Sequence, residues 1–290
     1  MSRFFQVIAF SIFFLFSSFA VAPQIETHHW YTGKGKILSW EKVLQELENA
    51  DMIFFGESHN DPHAHWYEKK LAQYLIDKKG KNLVMGCEML EADNQLVVNE
   101  YLSGIINYTK LEENARLWNN HKTDYQPIID LAKENGIPVI ATNIPRRYAA
   151  MVYSNGFDAL NSLEPEAKSF FAPLPIQYDT AVACYNKLLH MDMMGHGSPN
   201  FPKSQAAKDA TMAHFILKNW TPGKVFYHWN GSYHSNNHEG IVWYLKQANP
   251  NLKIYVISNS SEDDIDKLSK ESEDKGDAIL ITDSSFPTSY

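Results

Sequence analysis

One stretch limits what this chain can fold into more than any other: Asp51-Met-Ile-Phe-Phe-Gly-Glu-Ser-His-Asn-Asp-Pro-His-Ala-His65. It begins as an apolar run, residues 52–55, with the length and composition of a buried strand. Gly56 breaks the run, and Glu57, Ser58 and His59 follow at once. Asp61-Pro62 then reads as an N-cap with proline at the first helical position, opening a helix to about residue 79. A carboxylate and an imidazole therefore sit on a tight turn at the carboxyl end of a strand, where open α/β sheets bind ligands.

The rest of the chain repeats the alternation. Residues 21–36 read as irregular, and residues 39–50 as an amphipathic helix capped by Ser39. A second strand over 83–87 ends directly in Glu88. A third, 137–141, leads into Asn143-Ile-Pro-Arg-Arg147, and a fourth, 225–229, into Asn230-Gly-Ser-Tyr-His234. Strands over 252–257 and 278–282 complete the set, with a helix over 238–247 and, between the last two strands, an acidic, serine-rich helix and loop over 260–277. From about 146 to 220 only helices are expected (148–153, 164–171, 178–189 and 203–218), punctuated by prolines. The implied fold class is α/β: a mostly parallel β-sheet flanked by helices, with an inserted helical subdomain at about 146–220.

The first residues read as a signal peptide. Arg3 precedes an apolar run too short for a comfortable membrane span, and Ser18-Phe19-Ala20 offers small residues for cleavage after residue 20. The remainder, 21–290, is then one exported domain working in the periplasm or cell envelope. No cysteine near the cleavage site offers a point of lipid attachment. Cys87 and Cys184 are the two cysteines of the chain and are expected to be free thiols. A formal charge of −8 argues against a nucleic-acid-binding surface.

In a parallel sheet the carboxyl ends of the strands align, so Glu57, His59, Glu88, Arg146 (or Arg147) and His234 are expected on one rim. Two imidazoles with carboxylates suit acid–base work or a divalent metal, for which Glu57, His59 and His234 are the candidate ligands. Arg146 would stabilise an anion. A purely structural ion cluster closing the sheet edge is the plain alternative. His63 and His65 are not spaced i,i+4 and are not expected to share a metal. The segment His190-Met-Asp-Met-Met-Gly-His-Gly197 has soft donors suited to haem iron or copper, and equally the composition of a connector between helices.

These motifs also resemble a known family. Phe55-Gly-Glu-Ser-His-Asn-Asp-Pro-His63 is similar to the signature of ChaN-like haem-binding uptake proteins of the Tiki and erythromycin-esterase-like superfamily. Further blocks match in order: Cys87-Glu-Met-Leu-Glu-Ala-Asp-Asn-Gln95, Tyr125-Gln-Pro127, Asn143-Ile-Pro-Arg146, Gln205-Ala-Ala-Lys-Asp-Ala-Thr-Met-Ala213 and Asn230-Gly-Ser-Tyr-His234 with Gly240-Ile241. The resemblance implies haem as cofactor and partner, held by a tyrosine outside the aligned motifs. It further implies a homodimer around cofacial haems and a connection to an outer-membrane haem receptor system.

Two functions follow. The chain is an exported haem-binding protein of haem or iron uptake, a binder rather than an enzyme. Alternatively it is a hydrolase, of the esterase or peptidase class found in the superfamily, using the rim of Glu57, His59, Glu88 and His234 with Arg146.

Overall fold

The computed structural model describes residues 26–193 and 198–290. The expected signal peptide over 1–20 and residues 194–197 of the His190–Gly197 segment lie outside the described residues. The described chain forms one eight-stranded sheet. In chain order its strands are β1 (His28–Thr32), β2 (Ile37–Leu38), β3 (Met52–Glu57), β4 (Leu83–Glu91), β5 (Val139–Asn143), β6 (Val225–Gly231), β7 (Ile254–Glu262) and β8 (Ala278–Asp283). Their spatial order is β2-β1-β8-β7-β3-β6-β4-β5. From β8 to β5 every pairing is parallel, whereas β1 runs antiparallel to both β2 and β8.

Strand β3 lies at the centre because both of its faces are apolar. Ile53 and Phe55 enter one core with Met85, Cys87, Tyr227 and Trp229. Met52 and Phe54 enter the other with Val84, Phe226 and Val256. Successive side chains leave a strand on opposite faces. The first core is closed by helix Pro62–Lys79 through Leu71 and Leu75, the second by helices Phe201–Asn219 and Ile241–Ala248 through Met212, Ile216 and Val242. Burying both faces is what parallel sheets require.

Helix Pro62–Lys79 begins as its sequence indicates. The Asp61 carboxylate accepts from His63 N at 2.8 Å, and Pro62 occupies the first turn. The other Asp61 oxygen accepts from Asn259 Nδ2 at 3.0 Å and Thr282 Oγ1 at 2.6 Å, which ties the helix start to β7 and β8.

Several boundaries differ from those read in the sequence. Residues 28–32 form β1 rather than irregular chain, because Trp30 and Tyr31 are buried in different clusters while the backbone pairs with β8. Strand β4 continues to Glu91, so Glu88 lies inside it; its pairing with β5 shifts register between Cys87 and Glu91. Residues 260–277 hold no helix: β7 runs on to Glu262, paired with β8, and turns follow. The helix expected from 178 is delayed to Ala183–Met193, where the Glu239 carboxylate accepts from the backbone N–H groups of Ala183 and Cys184. The helix expected from 238 starts at Ile241, after Asn237, His238 and Gly240 adopt positive φ.

Between β5 and β6 the described residues contain no strand. Helices Arg146–Asn155, Pro165–Lys168 and Phe201–Asn219 share a cluster built on Tyr148, Val152, Leu160, Phe171, Ala207 and Ala210, and helix Ala183–Met193 packs on the last of them through Tyr185 against Ala206. Helix Phe201–Asn219 also lies along β5, joining this helical region to the sheet above the carboxyl ends of the strands. Among the described residues no helix is long and apolar enough to cross a membrane.

Candidate functional site

Strand parity aims the two principal carboxylates in opposite directions. Glu57 shares its face with Ile53 and Phe55, and so meets helix Pro62–Lys79 and Tyr125. Glu88 shares its face with Val84, and so meets helix Phe201–Asn219. Between them lies β6, where Gly231 pairs with Glu57 and donates its N–H to Glu88 Oε2 at 2.9 Å. A Cβ at Gly231 would stand 2.6 Å from His59 Nε2 and 3.4 Å from Glu88 Oε2. Glycine is therefore what lets the two halves of the site approach. Gly56 has a similar role, since a Cβ there would stand 2.9 Å from Ser232 Cα.

On the first side Glu57 is 1% exposed and ionised. Burial alone would raise its pKa, but hydrogen bonds from His59 and His65 outweigh it and hold the carboxyl near 2. Its Oε1 faces His59 Nδ1 at 2.7 Å and accepts from the Tyr125 hydroxyl at 2.6 Å. Its Oε2 lies 3.1 Å from His65 Nδ1. The same Nδ1 is 3.2 Å from Glu68 Oε2, and His65 Nε2 is 3.1 Å from the carbonyl oxygen of His59. Burial opposes charge on His65, yet Glu57 and Glu68 overcome it and push the imidazole up to about 11. Glu68, fully buried and facing the negative charge of Glu57, is raised well above the usual carboxylate range.

On the second side His234 bridges two carboxylates. Its Nε2 is 3.2 Å from Glu88 Oε1 and its Nδ1 is 2.5 Å from Asp209 Oδ1. Burial works against the charge, but the two carboxylates raise the imidazole to about 10. Burial would likewise raise Glu88, and the charge and hydrogen bond of His234 instead hold it well below the usual carboxylate range. Asp209 also accepts from the Tyr185 hydroxyl at 2.7 Å.

Above both sides opens a cavity of about 850 Å³. Glu57, His59, Glu88, Arg146 and His234 all line it, so the five residues expected on one rim are together. The side chain of His59 is 33% exposed there, with its ring edge-on to Trp118 at 4.8 Å. Of the two neighbouring arginines, Arg146 reaches the cavity, while Arg147 turns to Asp93 at 2.6 Å. Ile144, Leu188 and Phe201 supply an apolar wall, and Lys187 and Lys208 add positive charge. Tyr233 also lines the cavity, its hydroxyl donating to the carbonyl of Cys184 at 2.6 Å.

Four residues of these networks were not singled out as site residues in the sequence. His65 and Glu68 are an i,i+3 pair at the start of the buried stripe of their helix, a spacing that places both on one face. Tyr125 and Asp209 lie inside the motif blocks quoted above, which gave their presence without their role. Both cysteines are free, as expected, with Cys87 buried.

Comparison with known proteins follows the same outline. A family model described as haem-binding uptake, Tiki superfamily, ChaN matches residues 43–245, well over half of the chain. The fold is similar to that of ChaN of Campylobacter jejuni, a structure of cofacial haem binding. The TM-score is 0.64 at 19% identity, over 89% of this chain and 97% of that one. An erythromycin esterase in its open conformation is more remote, at a TM-score of 0.46 and 12% identity over 80% of this chain and 77% of that one. Protein RETICULATA-RELATED 5, chloroplastic, of Arabidopsis thaliana is 22% identical over 202 residues, which is 64% of this chain and 26% of that protein. The chain thus spans about a quarter of the length of that relative. From the match over residues 43–245, the chain belongs to the haem-binding uptake family of the Tiki superfamily, the ChaN family.

Proposed function

We propose that the protein is an exported haem-binding protein of the periplasm or cell envelope, acting in haem and iron uptake. The observation that carries this reading is the cavity above the strand ends in a chain of this family. Its 850 Å³ falls within the roughly 300–1,000 Å³ of small-molecule and cofactor sites. Its lining suits haem: Ile144, Leu188 and Phe201 would lie against the macrocycle, and Arg146, Lys187 and Lys208 would meet the propionates. Tyr31, Tyr125, Tyr185 and Tyr227 are fully buried and do not line the cavity. Tyr233, which lies inside the Asn230–His234 block rather than outside the aligned motifs, is the tyrosine on the cavity wall and our choice for the iron ligand; its hydroxyl would exchange the Cys184 carbonyl for the iron. Tyrosinate ligation favours ferric haem. A homodimer around cofacial haems and exchange with an outer-membrane haem receptor system complete the proposal.

The test is a titration with ferric haem followed by absorbance, with solution mass measured in parallel. Saturable binding with a high-spin tyrosinate spectrum, dimerisation, and at least tenfold weaker binding by Tyr233→Phe are expected. Saturable binding that Tyr233→Phe leaves unchanged would remove the ligand assignment. The absence of saturable binding would remove the haem reading itself.

A second reading is favoured by one feature. Glu57 fixes His59 through Nδ1, and His59 Nε2 lies beside Gly231, whose N–H binds Glu88. A hydrolase could activate water there directly, with Arg146 stabilising an anion; His234, whose two nitrogens face Glu88 and Asp209, has none left for a divalent ion shared with Glu57 and His59. Ester or peptide cleavage that disappears in a folded His59→Ala protein is its expected signature; equal rates in both proteins would overturn it.

A further inference from the structure

Beneath the cavity, the environment of His65 holds one ligand too few. Two carboxylate oxygens face the single ring nitrogen Nδ1: Glu57 Oε2 at 3.1 Å and Glu68 Oε2 at 3.2 Å. A proton on Nδ1 can be directed at one of them. It serves Glu68, and Glu57 Oε2 is left, fully buried, with no hydrogen-bond donor. Glu68 Oε1 is also buried without a partner. With both carboxyls ionised, unpaired oxygens in the interior are costly. A cation at the centre of the three groups would satisfy both oxygens and the nitrogen lone pair together.

The spacing suits such an ion. One ligand atom from each of Glu57, His65 and Glu68 lies within 4.8 Å of the other two. Ligands about 2.0–2.1 Å from a tetrahedral zinc ion stand roughly 3.3 Å from one another, close to the separations seen here. The outer contacts are those of a ligand set already oriented. His65 directs Nε2 at the carbonyl of His59, which leaves Nδ1 as the inward nitrogen. Tyr125 and His59 occupy Oε1 of Glu57, which leaves Oε2 inward. Partners that fix tautomer and rotamer in this way accompany ligating histidines and carboxylates.

We propose that Glu57 Oε2, His65 Nδ1 and the Glu68 carboxylate bind one divalent metal ion of the zinc class. The second Glu68 oxygen or a water fills the fourth position. The ion takes the place of the Nδ1 proton and of the proton held on the raised Glu68 carboxyl, and both are released to solvent on binding. Glu57 belongs both to this cluster and to the cavity wall, so the cavity is the route by which the ion arrives. The site is distinct from the haem position and from the rim set of Glu57, His59 and His234, sharing with the latter one residue. It stands or falls independently of haem binding.

The experiment uses the haem-free chain, stripped with a chelator, reloaded with zinc chloride and analysed for metal content. Wild type is expected to retain one zinc per chain after gel filtration. Glu68→Gln and His65→Gln are expected to bind at least tenfold more weakly, and His234→Gln to retain the metal. No bound zinc in the folded wild type, or full retention in both Glu68→Gln and His65→Gln, overturns the proposal. Should those variants fail to fold, zinc-edge X-ray absorption on the loaded wild type decides. One imidazole among oxygen ligands supports the site; two imidazoles place the ion on the rim and overturn it.

Discussion

The Tyr125 hydroxyl and the His59 ring meet on the same oxygen of Glu57, at 2.6 and 2.7 Å. The hydroxyl approaches from the protein interior and the imidazole from the cavity. Removing the interior partner leaves the carboxylate in place with one donor fewer. Tyr125→Phe is therefore expected to cost about 1–3 kcal/mol of stability. Urea unfolding measures it, and a midpoint equal to wild type would show that the bond contributes nothing.

Gly231 is the contact between the two halves of the site. In Gly231→Ala the added methyl meets His59 Nε2 and Cε1 at 2.6 and 2.7 Å. The partly exposed ring has to swing away, breaking its bond to Glu57. An overpacking cost of about 1–3 kcal/mol is expected. The His59 ring resonances in NMR should move while those of His228, buried in the other core, stay. Unmoved His59 resonances would show that the methyl is accommodated elsewhere.

Asp209 holds the far side of His234. Asp209→Ala leaves a buried imidazolium with Glu88 alone and removes the acceptor of the Tyr185 hydroxyl. A loss of about 3–5 kcal/mol is expected, as for other broken buried ion pairs. The raised pKa of His234 sets the sign with pH. Its contribution is fully present below the unfolded value of 6.5 and is lost as pH rises through about 10. The gap between wild type and Asp209→Ala should narrow from pH 6 to pH 10 in thermal unfolding. A constant gap would count against a charged His234.

His121 and His228 act in the opposite direction. Burial lowers both to about 4, and neither ring nitrogen of His121 has a hydrogen-bond partner. Both are neutral in the folded chain at pH 5, where the unfolded chain is protonated. Each thus withdraws stability as pH falls from 6.5 towards 4, by up to about 3 kcal/mol. His121→Leu should flatten the stability profile over that interval in urea unfolding; an unchanged slope would refute neutral burial.

The sheet and the rim were legible because strand ends and their polar residues are local signals. Glu57 and His59 follow their strand within a few residues, and the Asp61-Pro62 cap is read directly. Glu88 was legible as a rim residue although its strand runs on to Glu91; a strand buried along its whole length shows no alternation by which to place its end. The partners were harder to see. Asp209 reaches His234 across 25 residues, a pairing fixed by how helix Phe201–Asn219 lies on the sheet. His65 and Glu68 lie on one helical face, but that the face is buried follows from packing against β3. Strand β1 was missed because Trp30 and Tyr31 are buried on both of its sides, which removes the polar–apolar alternation of an antiparallel strand with one solvated face.

The opposite parity of Glu57 and Glu88 has a mechanical consequence. The sheet divides the protein into two compartments, each anchoring its own carboxylate–imidazole pair in its own core. Gly231 is a window one residue wide in that partition. Through it the ring of His59 helps to lower the Glu88 carboxyl, although the helices that support the two pairs lie on opposite faces of the sheet. A molecule seated over the window touches both compartments at once.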